Sequence, residues 1–415
     1  MRIKRLRTSG RGDAVGLSVA GNRVTLLHDP ETCLPSMLDA IEDAEHEIFI
    51  EMYWFASDRT GWAFANTLCE RARAGVHVHV IYDAVGSITA DDAMFHQMQR
   101  EGCQVAEYNP VAPWRRRFDV SRLNNRDHRK MVVLDGRIAF VGGVNLGDEW
   151  ASVTRGGGGY RDDVVKIEGP AAGAVREVFE HTWQDLTGVT IAGGAPVPAG
   201  GFPRRPRRKP PNAASHDPIN AAQAEVAPGD PSSGSPVRVL ANHYRDERKA
   251  IRQAYLHRIQ HARRYFYVTN SYFVPDRKVR QSLKAAARRG VDVRVLLPIE
   301  SDVPVVDHAS RWLWRTLLGS GVRLYGFRGP ILHAKSAVSD DSWTTVGSFN
   351  FDNRSWHSNL EVNLAIEDKA LAQAMRTRFM ADLNESVEVS VEEHANRRLW
   401  LRFIDWLCFL FRALL

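Results

Sequence analysis

The chain has 415 residues, which is long enough for two ordinary domains, each with its own core. Its hydrophobic content of 44% and charged content of 25% are typical of a soluble globular protein and exclude a fibrous or disordered chain. The net charge of +6 suits an anionic partner, either nucleic acid or an acidic membrane surface, and does not choose between them.

The chain opens with residues 1–21, which are basic but contain no apolar run. We therefore predict an N-terminal arm and no secretory signal. No uncharged apolar stretch of about 18 residues occurs, so we predict no membrane-spanning segment. Four scattered cysteines lack metal-ligand spacing, which indicates reduced thiols in a cytosolic compartment and no metal site: Cys33, Cys69, Cys103 and Cys408.

Helices and strands alternate through the first half, which we place at residues 22–190. A helical stretch over 34–44 precedes a buried strand over 48–55, and a second helix ends at Gly75 before a strand over 76–81. The glycine suits the left-handed position that follows a helix. This alternation predicts an α/β unit.

The same unit returns in the second half, at residues 236–390. A helical stretch over 251–262 precedes a strand over 265–273, and a further helix ends at Gly290 before a strand over 291–296. We therefore predict two duplicated α/β domains related by a pseudo-twofold axis.

Each half also carries the pattern His-x-Lys-x4-Asp-x6-Gly-[Gly/Ser]-x-Asn at identical spacing. The first copy supplies His128, Lys130, Asp135, Gly143 and Asn145. The second copy supplies His333, Lys335, Asp340, Ser348 and Asn350. A lone His-x-Lys is most often part of a surface strand, but composition alone does not produce the whole pattern twice.

The repeated motif supplies the groups that an attack on a phosphodiester requires. Residues two apart in a strand face the same side, so each His shares a face with its Lys. One imidazole would attack and form a phosphohistidine, while the other protonates the leaving oxygen and then deprotonates the incoming hydroxyl. The two lysines and two asparagines would neutralise the nonbridging oxygens, and the scheme needs no metal or other cofactor.

Each motif is also predicted to fold into a β-hairpin. A two-residue turn at 135–136 would place Gly143 opposite His128, and the equivalent turn in the second copy would place Ser348 opposite His333. The small residues would then leave room for a substrate beside each His.

Acidic residues complete the candidate site. Asp135 and Asp340 belong to the repeated catalytic motif, but they lie at the far ends of the hairpins, where we expect mainly turn and scaffold roles. Each His also needs a carboxylate that orients it. The candidates are Asp162, which follows the first His and has Asp163 as a near competitor, and Glu361, which follows the second His.

Two segments combine basic residues with a loop composition. The stretch from 108 to 128 is longer than its counterpart in the second half and contains the basic aromatic run 114–118, which suits phosphate, a membrane interface or plain solvent. Residues 191–235 are rich in Pro, Gly, Ala and Ser and contain the basic run 204–209. We predict a flexible linker there, whose basic run either contacts anionic lipid or is solvated.

The C-terminal segment 394–415 has helical periodicity. Four charged residues share one narrow sector of the helix: Arg398, Arg402, Asp405 and Arg412. Apolar residues fill most of the remaining surface, which favours a helix lying in a membrane interface. The alternative is a terminal helix docked on the protein core.

The duplicated pattern, with the stretches 131–143 and 346–355, resembles the phospholipase D superfamily over both halves. Within it, Arg161-Asp162 and the stretch 167–171 are similar to bacterial cardiolipin synthases. The length, the apolar C-terminus and the lack of N-terminal membrane helices are most similar to the B type of these synthases. The resemblance implies two phospholipase D-like α/β/α sandwich domains with an active site at their interface.

The resemblance also implies a transphosphatidylation that joins two phosphatidylglycerol molecules and releases glycerol, with His128 as the nucleophile and His333 as the acid and base. It implies phosphatidylglycerol or other phospholipid substrates, an anionic membrane surface as partner, and a peripheral location on the cytoplasmic face of the bacterial cell membrane. The alternatives are a phospholipase D that hydrolyses lipid and a phosphodiesterase acting on nucleic acid. The apolar C-terminal helix argues against a nucleic-acid partner. The donor headgroup, the oligomeric state and which of the two histidines attacks stay open.

Overall fold

The computed structural model describes residues 16–111, 124–191, 236–242 and 249–413. The basic run predicted at 114–118 lies outside the described residues. The same holds for nearly all of the predicted linker and for the predicted N-terminal arm up to residue 15. The last residues of that predicted arm form a strand, Gly16–Val19.

Within its described residues, the first half contains eight strands and four helices, with two short 3-10 turns between the last two strands. They run in the order β1 (Gly16–Val19), β2 (Asn22–Leu27), α1 (Pro30–Glu42), β3 (Glu47–Met52), α2 (Arg59–Arg73), β4 (His77–Asp83), α3 (Asp92–Arg100), β5 (Gln104–Tyr108), β6 (Lys130–Leu134), β7 (Ile138–Gly142), β8 (Val164–Glu168) and α4 (Ala171–Thr187).

The second half repeats this plan and adds two helices at its end. Its elements are β9 (Val237–Asn242), α5 (Ala250–His261), β10 (Tyr265–Asn270), α6 (Arg277–Arg288), β11 (Asp292–Pro298), α7 (Pro304–Leu318), β12 (Arg323–Phe327), β13 (Lys335–Ser339), β14 (Trp343–Gly347), α8 (Asn353–His357), β15 (Glu361–Ile366), α9 (Lys369–Asn384), β16 (Ser386–Glu388), α10 (Val391–Ala395) and α11 (Leu399–Leu410).

Each half forms one eight-stranded mixed sheet. The strand orders are β1-β2-β8-β7-β6-β3-β4-β5 and β16-β12-β11-β10-β13-β14-β15-β9. Without the edge strands β1 and β16, the second order is the first in reverse, with equivalent strands in equivalent places. The three strands β3, β4 and β5 are parallel, as are β10, β11 and β12. The predicted duplicated α/β fold is therefore confirmed.

Local signals in the sequence account for these elements. Helices begin where an aspartate accepts hydrogen bonds from the first turn, as Asp58 does for α2 and Asp276 for α6. The strands β3 and β10 are buried along their whole length, as expected for central strands covered on both faces.

The two halves share part of their core. One apolar cluster lies within the first half and another within the second. A third cluster joins both sheets, and its members include Phe179 and Trp183 of α4 and Phe379 of α9. The halves therefore pack as one unit, which positions two strands from different halves against each other at the candidate site.

The C-terminal segment is a helix docked on α7. The structure divides the predicted helix into α10 and α11, and it buries Asp405, which is only 2% exposed. The carboxylate of Asp405 accepts hydrogen bonds from Nδ1 of His308 and Nη1 of Arg397, each at 2.8 Å. The charged sector thus faces the protein at Asp405, because this buried charge finds partners there.

The apolar face of α11 points outward instead. Seven large apolar residues of this helix and the turn after it are exposed: Leu399, Trp400, Phe403, Trp406, Leu407, Leu410 and Phe411. Within the ranges given above, no helix is both long and apolar enough to cross a bilayer.

Candidate active site

The two copies of the repeated motif meet in one buried site. Each His lies two residues before a strand whose first residue is the motif Lys, at β6 and β13. Only 7% of His128 and 5% of His333 is exposed. The charges of Lys335 and His333 act on the pKa of His128, although they belong to the other half. The motifs therefore form one centre rather than two.

The hairpins of the motif differ from the prediction by one residue in register. Met131 pairs with Val141, so a three-residue loop, 135–137, replaces the predicted two-residue turn. Asp135 takes the left-handed conformation at φ 51°, as does Asp340 at φ 53° in the second copy. This conformation accommodates the longer loop, so Gly143 and Ser348 do not lie opposite the histidines as predicted.

Asp135 and Asp340 lie at the loop end of the hairpins and bind backbone. The carboxylate of Asp135 accepts hydrogen bonds from the N–H groups of Glu45, His46 and Glu47, where β3 begins. Asp340 does the same for the N–H groups of 263–265 at the start of β10. Their contacts are those of the scaffold role expected for them.

The orienting carboxylates are exchanged between the halves. Nδ1 of His128 lies 3.0 Å from Oε1 of Glu361 in the second half. Nδ1 of His333 lies 2.8 Å from Oδ2 of Asp162 in the first half. The sequence pairs each carboxylate with the His that it follows, and that pairing is wrong.

Backbone contacts between the halves explain the exchange. The N–H of His128 donates to the carbonyl of Leu360 at 3.0 Å, next to Glu361. The N–H of His333 donates to the carbonyl of Arg161 at 2.8 Å, next to Asp162. The backbone of each His is therefore hydrogen-bonded to the segment of the other half that carries its orienting carboxylate.

The small residues of the motif make room for these carboxylates rather than for substrate. A Cβ atom added at Gly143 would lie 2.1 Å from Oδ1 of Asp162, far inside van der Waals contact. The equivalent Ser348 contacts the other carboxylate directly, since its hydroxyl donates to Oε2 of Glu361. The second residue of the pattern Gly-[Gly/Ser] therefore fixes the position of an orienting carboxylate, and that carboxylate in turn orients a histidine.

Two further residues of the site were missed from the sequence. Nε1 of Trp150 donates to Oδ2 of Asp162 at 3.1 Å, and its ring lies edge-on to His333 at 5.1 Å between centroids. Oγ of Ser355 donates to Oε1 of Glu361 at 2.7 Å. Both residues follow the motif Asn at the same spacing, and this repeated spacing was the available signal.

The motif asparagines are buried beside the strands that flank the site. Oδ1 of Asn145 accepts from the backbone N–H of Trp54 at 3.2 Å. Oδ1 of Asn350 accepts from the hydroxyl of Ser271 at 3.1 Å. With both oxygens engaged by protein, the amide nitrogens are the groups left to donate to an anionic ligand.

Asp163, the competitor of Asp162, serves a different purpose. Its Oδ1 lies 2.6 Å from Nη1 of Arg161, and its Oδ2 accepts from the hydroxyl of Ser336 at 2.7 Å. Arg161 in turn binds Asp382 of α9 at 2.8 Å. Asp163 is thus part of a buried ion-pair network between the halves and does not contact either His of the motif.

The lysines are held beside their own histidines. Nζ of Lys130 donates to the carbonyl of His128 at 2.7 Å and lies 4.9 Å from the ring centre of Tyr53. Nζ of Lys335 lies 2.9 Å from Nδ1 of His333. Burial lowers the pKa of Lys130 to about 7 and that of Lys335 to about 8, against opposing carboxylates that include Glu361 and Asp162.

The two histidines differ in their electrostatic surroundings. Burial lowers the pKa of His128 well below its ordinary value, and the positive charges of Lys130 and Lys335 lower it further. Burial and Lys335 also lower the pKa of His333, but Asp162 opposes them. Burial raises the pKa of Glu361 to about 7. The centre therefore combines two buried imidazoles, each beside a carboxyl group, with two buried lysines.

Comparison with known proteins places this arrangement in a family. The family model described as "Cardiolipin synthase, PLD-like domain" matches residues 37–183 and 255–383. The chain is 30% identical to cardiolipin synthase 2 of Bacillus anthracis over 401 residues, covering 96% of this chain and 72% of that protein. It is also 30% identical to cardiolipin synthase 1 of Staphylococcus aureus (strain COL), covering 94% of this chain and 73% of that protein.

Solved structures support the same fold. The crystal structure of phosphatidylserine synthase from Haemophilus influenzae Rd KW20 matches with a TM-score of 0.68 at 13% sequence identity. The match covers 94% of this chain and 95% of that chain. At this identity the similarity concerns the fold alone.

Proposed function

Since the chain belongs to the family of cardiolipin synthases with phospholipase D-like domains, we propose that it joins two phosphatidylglycerol molecules into cardiolipin and releases glycerol. The observation that carries the proposal is the exchange of carboxylates, Glu361 to His128 and Asp162 to His333. It brings together two buried, oriented imidazoles and two buried lysines, which are the groups that a two-step phosphoryl transfer requires.

In the first step, Nε2 of His128 attacks the phosphorus of a bound phosphatidylglycerol. A P–N bond forms and the P–O bond to glycerol breaks, while His333 gives its proton to the departing glycerol oxygen. The nucleophile must be neutral, and the burial and cations that lower the pKa of His128 favour that state. The acid must hold a proton, and Asp162 supports one on His333.

In the second step, the terminal hydroxyl of another phosphatidylglycerol attacks the same phosphorus. His333 takes the proton of that hydroxyl, the P–N bond breaks, and His128 is released as a neutral imidazole. The product contains both phosphatidyl groups on one glycerol. Water in place of the lipid hydroxyl would give hydrolysis instead.

Four cationic or polar groups stabilise the negative charge that grows on the nonbridging oxygens. We assign this role to Lys130, Lys335 and the amide nitrogens of Asn145 and Asn350. Such charge-assisted hydrogen bonds strengthen as the phosphorane forms, which lowers the barrier for both steps. In this proposal Asp135 and Asp340 act only through the backbone that they hold.

We further propose that the protein works as a peripheral enzyme on the cytoplasmic face of the bacterial membrane. The outward apolar face of α11, with Trp400, Phe403 and Trp406 exposed, suits the boundary between lipid headgroups and acyl chains. The units at 22–190 and 236–390 would act together there, joined by the segment predicted as a linker.

The test is to incubate the purified full chain with phosphatidylglycerol vesicles and to separate the lipid products. Cardiolipin with an equal amount of released glycerol supports the proposal. Phosphatidic acid without cardiolipin would make the protein a hydrolase, and cleavage of DNA without lipid turnover would make it a nuclease. A His128→Ala variant that still made cardiolipin would contradict the assigned nucleophile.

A further inference from the structure

The repeated motif is followed by one position at which the two halves carry opposite charges. Trp150 and Ser355 occupy equivalent places, because each donates a hydrogen bond to the orienting carboxylate next to it. The residue immediately before each of them is Glu149 in the first half and Arg354 in the second. The active centre is therefore flanked by an anion on one side and a cation on the other.

Arg354 lies on the side of His128. Its positive charge contributes to lowering the pKa of His128, after burial and the two lysines. Among the described residues, its guanidinium forms no hydrogen bond or ion pair, unlike the buried Arg129 and Arg161. The flank beside His128 thus favours anionic groups and disfavours further cations.

A second anion lies on the opposite flank, beside His333. Asp302 is exposed in the loop between β11 and α7, and its Oδ2 accepts from the hydroxyl of Tyr272 at 2.7 Å. The ring of Tyr272 lies edge-on to His333, with 6.4 Å between centroids. The charge of Asp302 reaches the centre, since it opposes the burial that lowers the pKa values of His333 and Lys335.

Glu149 strengthens this negative flank. Its Oε2 atom is buried and accepts no hydrogen bond from the described part of the chain. Both Asp302 and Glu149 raise the pKa of Tyr160, after burial, so the two carboxylates act on a common region. Tyr160 packs on Trp150 with 5.0 Å between ring centroids, and Trp150 contacts His333.

The proposed displacement indicates which part of the substrate would lie at this negative flank. In an in-line displacement the leaving group departs on the side opposite to the nucleophile. With His128 as the nucleophile, the headgroup leaves beside the acid His333, and the incoming alcohol arrives at the same place. Exposed carboxylates accept hydrogen bonds from hydroxyl or ammonium groups and repel anions.

We propose that Asp302, held by Tyr272, is the residue that recognises the hydroxyl-bearing headgroup, both when glycerol leaves and when a glycerol hydroxyl attacks. This inference rests on the proposed function and assigns the headgroup side of the same site. Asp302 accepts a hydrogen bond from a hydroxyl that does not react, which distinguishes a polyol from a simple alcohol. The reacting hydroxyl itself is left to His333.

The experiment is a competition between two alcohols for one phosphatidyl-enzyme. Phosphatidylglycerol vesicles are the donor, and equal concentrations of isotopically labelled glycerol and ethanol are the acceptors. The ratio of labelled phosphatidylglycerol to phosphatidylethanol reports acceptor choice alone, because both products form from the same intermediate. It is therefore independent of the amount of active enzyme.

For Asp302→Asn we expect the preference for glycerol over ethanol to fall about tenfold. A hydrogen bond to a charged group typically contributes a factor of about this size to binding. The rate of phosphatidylethanol formation should also fall, because Asp302 binds the glycerol headgroup of the donor as well, so the product ratio is the measurement that isolates acceptor choice. Tyr272→Phe, which keeps the ring and removes the donor to Asp302, should lower the preference in the same direction. The matched control is Glu300→Gln, which removes an exposed carboxylate from the same loop and should leave the ratio unchanged.

The outcomes separate this inference from the proposed function. If Asp302→Asn keeps the wild-type ratio, or if Glu300→Gln changes it equally, the assignment of Asp302 is wrong while the transfer reaction stands. If the wild-type protein transfers the phosphatidyl group to no alcohol and makes no cardiolipin, the proposed function fails and this inference fails with it.

Discussion

Glu361 holds the imidazole of His128 at 3.0 Å, although 233 positions of sequence separate the two residues. The reciprocal bond joins His333 to Asp162 across the same interface. Each half thus supplies one motif imidazole and the acid that contacts the imidazole of the other half. In the proposed mechanism neither half could act without the other.

The first prediction concerns these acids. Glu361→Gln keeps the shape of the side chain but removes the charge that orients His128, so we expect turnover to fall by about 10²–10⁴-fold with a smaller change in KM. Asp162→Asn should act similarly through His333. Glu388→Gln, which alters an exposed ion pair with Arg323, is the control and should stay near wild-type turnover. Wild-type turnover in Glu361→Gln would show that the reaction does not need this carboxylate.

The second prediction concerns Gly143. The added methyl of Gly143→Ala would press on Asp162, so the carboxylate must move and His333 loses its orientation. We expect a loss of about 1–3 kcal/mol in stability and a larger proportional loss in turnover, measured by thermal unfolding and lipid transfer. Gly319→Ala is the control, because its added methyl meets only the carbonyl of Arg315 at 3.2 Å. Full activity in Gly143→Ala would mean that Asp162 tolerates displacement.

The third prediction is an alkaline decline in activity. Burial lowers the pKa of Lys130 to about 7 and that of Lys335 to about 8, so both lose their charge as the pH rises through that range. We expect kcat/KM to fall above about pH 7–8, and kcat to hold to higher pH because a bound phosphate favours charged lysines. A pH profile without an alkaline limb would contradict this.

The same shift has a consequence for stability. The pKa of Lys130 is lower in the folded state than in the unfolded chain, so between those values the unfolded state binds more protons. Its contribution to stability therefore rises as the pH increases from about 7 toward the ordinary lysine value of about 10.4. Lys130→Met should remove the cost of burying the lysine ammonium. We therefore expect a higher melting temperature at neutral pH, together with loss of transfer. A lower melting temperature in this variant would contradict the proposed penalty.

The fourth prediction concerns a buried acid pair behind the site. No donor among the other described residues reaches Oε2 of Glu51 or Oδ2 of Asp127. Burial raises the pKa of both carboxyls, and a side-chain hydrogen bond joins the two. We infer that they share one proton, with Arg129 balancing the remaining charge at 3.1 Å from Glu51. Asp127→Asn should then cost only about 1 kcal/mol, since the amide can donate as the shared proton does.

Arg129 is the sensitive member of that group. Arg129→Met removes the balancing charge and the contact with the carbonyl of Glu361, so we expect a loss of about 3–5 kcal/mol. Denaturant unfolding of the two variants gives the comparison. Equal destabilisation by Asp127→Asn and Arg129→Met would rule out the shared proton.

The fifth prediction separates the two faces of α11. Substituting Phe403 and Trp406 with Ser removes exposed apolar area, so vesicle binding should weaken by about tenfold or more while thermal stability stays unchanged. Asp405→Ala should instead loosen the docking on α7, because it leaves His308 and Arg397 without their carboxylate. Unchanged vesicle sedimentation of the double Ser variant would exclude this face as the membrane contact.

Much of the fold and the motif could be predicted because both depend on local pattern. The alternation that places His128 and Lys130 on one face needs only strand periodicity, and the duplication is visible as repeated spacing. The predicted register of the hairpins is wrong by one residue because Asp135 adopts a left-handed conformation in a three-residue loop. That conformation is accompanied by hydrogen bonds from backbone N–H groups far away in the sequence, such as that of His46.

The exchange of Glu361 and Asp162 could not be derived in that way. It depends on how the two halves pack, which brings 126–128 beside Leu360 and Arg161 beside 331–333. Burial of Asp405 is similar, because its partners His308 and Arg397 are supplied by the tertiary structure. Contacts between distant segments are the part of the site that spacing alone does not determine.

The covalent joining of two similar halves permits something that two identical subunits could not achieve. In a symmetric homodimer every residue beside one His would recur beside the other, so both would share the same surroundings. Here Gly143 faces one orienting acid and Ser348 the other, and Glu149 stands where Arg354 stands on the opposite side. Because the halves are different segments of one chain, the surroundings of His128 and those of His333 can differ residue by residue.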